Sequence, residues 1–201
     1  NKFIEKLVIE AEKDDSIILI VGDLGFNVIE PFSEKFPDRF FNAGICEQSM
    51  ASMAAGMASE GHKVFIYSIA NFPTFRCAEQ IRNDIDYHKL PVTIVSVGSG
   101  VGYGNLGYSH HALQDLALMR SFPNMLILAP GNNNELVSSL KYITNNPQPS
   151  YLRLDKDECI ESKRKKNIKI IPGKLIRILN ASKKNVIIVT GKNQEIAIEM
   201  S

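Results

Sequence analysis

Short, uninterrupted apolar runs recur along this chain between stretches of helical periodicity. Ser16-Ile-Ile-Leu-Ile-Val-Gly22, Lys63-Val-Phe-Ile-Tyr-Ser68, Pro91-Val-Thr-Ile-Val-Ser-Val97, Met125-Leu-Ile-Leu-Ala129 and Ser150-Tyr-Leu-Arg-Leu154 are strand candidates with little or no polar alternation. Such runs mark strands covered on both faces. Helical spacing is predicted between them over 3–13, 27–36 (with Pro31 as an interruption), 47–60, 74–87, 111–120 and 133–144. Regular alternation of strand and helix argues an α/β fold, a mostly parallel sheet with helices on both faces. Ligands in such folds sit at the carboxyl edge of the strands. The loops after Val21, Phe41, Ser68 and Val97 are therefore the ones to search.

A net charge of +1 gives no reason to invoke nucleic acid. No apolar stretch approaches the length of a membrane span. Cys46, Cys77 and Cys159 lie far apart without metal-ligand spacing, which suggests reduced thiols and a cytoplasmic location. The N-terminus has no signal-peptide pattern and no initiator Met, so the chain reads as a fragment.

Residues 39–58 combine a strand end, Arg39-Phe-Phe41, the turn Asn42-Ala-Gly, and a run of small and sulfur-bearing residues with helical propensity. A helix apolar nearly all round is expected to be buried, and Gly61 is a plausible cap for its end. Glu47 falls in its first turn. One reading is a charge stabilised by the helix N-terminus; the other is a functional carboxylate whose acidity burial would tune. Further on, Phe72 and Phe75 stand at a strand-to-helix junction, either as core aromatics or as a stacking surface for a flat heterocycle. Residues 98–107 hold five glycines in ten positions. They lack the lysine of a Walker loop and the spacing of a dinucleotide fingerprint. His110-His111 has no Cys or carboxylate at ligand spacing, so no metal site is assigned.

Asn42-Ala-Gly-Ile-Cys-Glu-Gln-Ser-Met50 resembles the signature of the pyrimidine-binding domain of transketolase-type, thiamine-diphosphate-dependent enzymes. Asn71 to Asn83, with Glu-Gln-Ile-Arg-Asn, Gly107-Tyr-Ser-His-His111 and Asp115 to Met125 continue the resemblance in the same order, as far as about Lys156. It implies a thiamine-diphosphate-binding fold, pyrimidine domain, over residues 1–158. It implies that Glu47 bonds the aminopyrimidine ring nitrogen and promotes loss of the thiazolium C2 proton. It places Phe72 and Phe75 against the pyrimidine and Asp23 near the cofactor and the interface. His110 falls where proton transfer or hydrogen bonding to donor hydroxyls occurs near the reacting carbons, and Lys156 falls near an Arg that clamps the substrate phosphate; Arg76, read from its own position, either faces a substrate anion or is a surface arginine.

Three positions depart from the family. Leu106 stands where transketolases proper carry an acidic residue, Gly98 where related enzymes place a donor-binding His or Arg, and Lys156 where an Arg clamps phosphate. These changes put pentose-phosphate transketolase activity in doubt and make a relative acting on another sugar the equal alternative. The Gly-Asp-Gly and later Asn that hold Mg²⁺ and the diphosphate in the family are not found here. The magnesium ligands are therefore expected on a partner, an N-terminal diphosphate-domain subunit, in a homo- or hetero-oligomer. The expected activity is two-carbon ketol transfer between sugars or sugar phosphates. Alternatives are a 1-deoxyxylulose-5-phosphate-synthase-like enzyme, the β-subunit of a 2-oxo acid dehydrogenase, a non-catalytic partner that keeps the fold, or a stand-alone nucleotide or phosphate binder. Charged residues over 159–184 read as a linker. Asn185-Val-Ile-Ile-Val-Thr-Gly191 and the helix start at Gln194 read as the opening of a C-terminal α/β domain over 185–201, cut short.

Overall fold

A computed structural model of the chain describes residues 2–156, 169–178 and 186–200. Its centre is a six-stranded sheet in the order β2-β1-β3-β4-β6-β5, all pairs parallel. The strands are β1 (Ile17–Val21), β2 (Phe40–Asn42), β3 (Lys63–Ile69), β4 (Val92–Val97), β5 (Leu126–Leu128) and β6 (Ser150–Leu154). Every residue of β1 and β4 is buried, as their unbroken apolar character requires.

Alternate strand residues feed two cores. On one face α1 (Lys2–Ala11), α2 (Glu30–Lys35) and α6 (Asn133–Asn145) cover Leu19, Phe65, Val95 and Leu152 through Leu7, Phe32 and Leu140. On the other, α3 (Glu47–Ser59), the helical segment after β3 and α5 (Asp115–Arg120) cover Ile20, Ile66, Ile94 and Tyr151 through Met50, Ala54, Ile81 and Met119. Because all six strands run the same way, the segments leaving β1, β2, β3, β4 and β6 emerge along one edge.

Several elements differ from the expectation. Pro31 does not interrupt α2; it sits in the first turn, where its missing N–H and fixed φ suit a helix start. The helix α3 is buried on one side only: Met50, Ala51, Ala54, Ala55 and Ala58 face the sheet, while Gln48, Ser49, Ser52, Gly56 and Ser59 are exposed. Small side chains give it the look of a helix apolar all round. Gly61 follows it with φ +96°, and its N–H bonds the Ala58 carbonyl, as a C-terminal cap should.

The segment predicted as one helix from Thr74 is two π-helical turns, Phe72–Arg76 and Ile81–Asp86, around a short α4 (Ala78–Gln80). Pro73 brings no N–H, and the Thr74 hydroxyl donates to the Ala70 carbonyl at 2.6 Å. The helix expected from His111 begins only at Asp115, because Ala112 exchanges backbone hydrogen bonds with Gly100 (2.8 and 3.1 Å) and is held extended.

Residues 186–190 form no strand. They pair with no other strand among the described residues, and Val186 is 85% exposed. An apolar run becomes a strand only beside a partner. The helix after it, α7 (Gln194–Glu199), is present. Most of the expected linker, with its basic run Lys163-Arg-Lys-Lys166, together with Cys159 and Asn185, lies outside the described residues. Among the described residues no helix is long and apolar enough to cross a membrane.

Candidate active site

The exits of β1 and β2 are tied together first. Asn42, the last residue of β2, accepts the Asp23 and Gly44 N–H groups on Oδ1 and donates from Nδ2 to Asp23 Oδ1, all at 3.0 Å. Asp23 itself has φ +54°, a left-handed conformation that Asp tolerates better than most residues. Asp23 thus shapes a turn here and is committed to Asn42. A Cβ at Gly22 would lie 3.5 Å from the Gly44 carbonyl oxygen and 3.8 Å from Glu47 Cγ, so this turn abuts the start of α3.

Glu47 opens α3 and is only 4% exposed. The carboxylate does not face an apolar wall alone. Arg76, at the end of the first π-helical turn, donates from Nη1 to Glu47 Oε1 at 2.8 Å. The same guanidinium lies over the Phe72 ring, 4.1 Å from its centroid. This pairing departs from the expectation that Arg76 faces a substrate anion. Cys77 follows it, and its thiol is pushed up to about 12 by burial and then by the Glu47 charge, with Arg76 pulling the other way.

Phe72 joins this cluster to a second one. Its ring meets His110 edge-on at 5.1 Å between centroids. His110 Nδ1 lies 3.0 Å from Ser109 Oγ, and its ring is 5.9 Å from Tyr103. The Lys156 ammonium lies over Tyr103 at 5.0 Å. Glu47, Arg76, Phe72, His110, Tyr103 and Lys156 therefore form one continuous row of contacts along the carboxyl edge of the sheet. Phe75 is 44% exposed and contributes no ring to it. Leu106, in a 3-10 turn (Gly104–Leu106), is exposed.

The glycine-rich loop is pinned at several points. The Gly100–Ala112 backbone pair closes it, His111 Nε2 reaches the Gly104 carbonyl at 2.8 Å, and Asn71 Nδ2 donates to the Ser109 carbonyl at 2.7 Å. Ser99 Oγ donates to Asp155, at the exit of β6. Behind the loop, fully buried Asp115 accepts Arg153 Nε at 2.7 Å and the Tyr151 hydroxyl at 2.6 Å, while Arg153 Nη2 donates to the Ala112 carbonyl at 2.8 Å. Burial, and then the Asp115 charge, hold the Tyr151 phenol well above its ordinary value. Asn42 is visible in the sequence only as the opening of its turn and motif, and Tyr103 and the Asp115–Arg153 pair do not stand out there. An Asn at a strand exit is a turn former and is the available signal for the first; the others depend on contacts between segments far apart in sequence.

A buried carboxylate beside an aromatic face is the pair of groups a flat, nitrogen-bearing ring would use, and here the Arg76 guanidinium, itself planar and nitrogen-bearing, fills both positions. Among the described residues no group of three or more His, Cys, Asp or Glu side chains could hold a metal ion.

Comparison with known proteins decides the family. The model of the transketolase pyrimidine-binding domain matches residues 3–160. The chain belongs to the transketolase family. This transketolase pyrimidine domain is 35% identical over 176 residues to a putative transketolase C-terminal section from Methanocaldococcus jannaschii, covering 86% of the chain and 56% of that protein. It is 35% identical over 162 residues (80% and 52%) to one subunit of an apulose-4-phosphate transketolase from Actinobacillus succinogenes. A 1-deoxy-D-xylulose-5-phosphate synthase from Clostridium perfringens is 34% identical over 96% of the chain and 31% of its own length. Among solved structures, a split-gene transketolase described as an inactive β4 tetramer superposes with a TM-score of 0.75 at 32% identity, covering 86% of the chain and 56% of that one. A Pichia stipitis transketolase shares the fold, with a TM-score of 0.67 at 19% identity over 79% of the chain and 26% of its own. The transketolase domain thus spans about half the length of the first two relatives. The family depends on thiamine diphosphate.

Proposed function

We propose that this chain supplies the pyrimidine-binding half of a thiamine-diphosphate-dependent, transketolase-like active site whose diphosphate and Mg²⁺ half comes from a partner subunit or domain. The observation that carries the reading is Glu47, buried at the first turn of α3 and reached by Arg76, which in turn lies over Phe72. Relatives named as a C-terminal section and as one subunit of a transketolase support a divided enzyme.

Bound thiamine diphosphate would supply a carbanion equivalent at its thiazolium ring, the chemistry that cleaves and forms bonds next to a carbonyl. The chain's own residues bind and orient it. Glu47 would hydrogen-bond the pyrimidine ring nitrogen through a proton shared between the carboxyl group and that nitrogen, and Phe72 would offer its ring face. Arg76 already occupies both of these partners, so it gives way as the pyrimidine enters. At the other end of the row, His110 is placed to accept or donate a proton at a substrate hydroxyl. Lys156 is placed to meet an anionic terminus as a point charge. Two-carbon ketol transfer between sugars or sugar phosphates uses these groups in this order.

The test is calorimetric titration of thiamine diphosphate with Mg²⁺ into the chain alone and mixed with a diphosphate-domain subunit. Binding in the mixture only, with turnover abolished by Glu47→Ala while the fold is kept, is the expected result. Wild-type turnover in that variant overturns the role of Glu47.

A second reading, synthesis of a 1-deoxyketose phosphate, is favoured by one observation: similarity to such a synthase extends over 96% of the chain. Pyruvate and ketose phosphates offered as alternative donors to the assembled enzyme separate the two.

A further inference from the structure

Gly98 and Tyr103 are five residues apart in one loop, yet they occupy the same space. Gly98 has φ +91°, and a Cβ there would lie 2.0 Å from Tyr103 Cε2 and 2.4 Å from Cδ2. No side chain fits at 98 while the ring is where it is. The loop holds the ring there from both ends: Gly102 N–H bonds the Ser99 carbonyl at 3.0 Å, and the Gly104 and Leu106 amides close the following turn. The ring stands between His110, at 5.9 Å, and the Lys156 ammonium, at 5.0 Å. Ser99 Oγ and Asp155 fasten this loop to the β6 exit that carries Lys156. Tyr103 therefore fixes two things at once: where the only lysine in the contact row sits, and how far that cation is from His110.

We infer that Tyr103 is a specificity-determining residue, making this end of the site select sugars with an anionic terminus by holding Lys156 over its ring within reach of a ligand lying along His110. The inference rests on the reading of the site given above. Lysine is a flexible, strongly hydrated point charge; an aromatic face beneath its ammonium narrows where that charge is found. A sugar lying along the row meets a ring with its C–H groups and a localised cation with its phosphate. A neutral sugar gains nothing from Lys156. A bare phosphate gains nothing from the ring.

The test is a ligand-observed NMR titration of the full chain, without cofactor, using ribose 5-phosphate, ribose and inorganic phosphate as probes. The wild-type chain is expected to prefer ribose 5-phosphate over both other probes. Tyr103→Ala lowers that preference by up to about fivefold, a ceiling set by an exposed cation–π contact of about 1 kcal/mol that is already made before the ligand arrives, and Tyr103→Phe, which keeps the ring, preserves it. Gly98→Ala must expel the ring and so reproduces Tyr103→Ala, and the double variant is no worse than either single one. Lys156→Ala removes the preference in a chain whose loop is untouched. A Tyr103→Ala chain with the wild-type preference overturns the inference, as does a wild-type chain that binds inorganic phosphate as well as the sugar phosphate. The outcome is separable from the functional reading. A chain that binds thiamine diphosphate with its partner but shows no dependence on Tyr103 loses this inference only. A Tyr103-dependent preference without thiamine binding leaves a sugar-phosphate site and removes the transketolase role.

Discussion

Cys46 and Cys77 bracket the site and report on it in opposite ways. Cys46 precedes α3 and is exposed; Cys77 is buried, with its thiol pushed up to about 12 by burial and by Glu47. Only a thiolate alkylates quickly. At neutral pH Cys46 is expected to be modified in the native chain, whereas Cys77 is modified only after unfolding, as peptide mapping by mass spectrometry would read. Replacing Glu47 by Gln removes one of the contributions that raise the Cys77 thiol, so its titration should move downward; an unmoved thiol would mean that Glu47 is not its electrostatic neighbour. At this scale residue type and motif together bring out Glu47, Phe72 and His110, and the structure sets these three in one row of contacts through Arg76. The sequence is silent where a pairing depends on the register of an irregular helix. Arg76 reaches Glu47 because a π-helical turn carries it there, and nothing in a 3.6-residue period points to that. Tyr103 filling the space of Gly98 is a contact inside one loop that no periodicity encodes.

Among the elements, α3 and α5 make separate claims. Gly61 ends α3 with φ +96°, and a Cβ there would meet no atom within 4 Å. Gly61→Ala is therefore a purely conformational change and should cost about 1 kcal/mol in urea unfolding. A much larger loss would reveal a contact the native loop hides. Asp115→Ala is a different case. It strips the partner from Arg153 and the Tyr151 hydroxyl in a fully buried setting. A loss of about 3 kcal/mol or more is expected, against about 1 kcal/mol for Tyr151→Phe, which removes one hydrogen bond and leaves the ion pair. The strands are legible because continuous apolar runs buried on both faces have few other interpretations. The start of α5 is not, since Ala112 is held by Gly100 across the loop, and the 186–190 run is not, since a strand depends on a neighbour and no run of residues carries its neighbour with it.

For the molecule as a whole, the edge of the sheet opposite the site is where pH acts on stability alone. Lys63, at the start of β3, donates to Asp14 Oδ2 at 2.7 Å and to the Thr144 carbonyl at 2.9 Å, fastening the entry of β1 to β3 and to the end of α6. Ser16 adds hydrogen bonds to Asp14 Oδ1 from its amide at 3.0 Å and its hydroxyl at 2.6 Å. Burial works against the Asp14 charge, but the hydrogen bonds from Lys63 and Ser16 outweigh it, and the carboxyl titrates below its ordinary value of 3.8. A carboxyl depressed in the folded state stabilises the fold fully at pH above the unfolded value. That contribution is lost as pH falls below 3.8 and through the lower folded value. Asp14→Asn should therefore lower stability by about 1 kcal/mol at pH 7, the size expected of a partly exposed, hydrogen-bonded pair. The gap between variant and wild type should close on acidification below pH 3.8. Chemical denaturation at a series of pH values reads both curves. Parallel curves would mean that Asp14 is no better held in the folded chain than in the unfolded one. Because parallel strands put this tie at their amino ends and Glu47, His110 and Lys156 at their carboxyl ends, the same variant should leave ligand binding at the site unchanged. A change there would show that the two edges are coupled through the sheet.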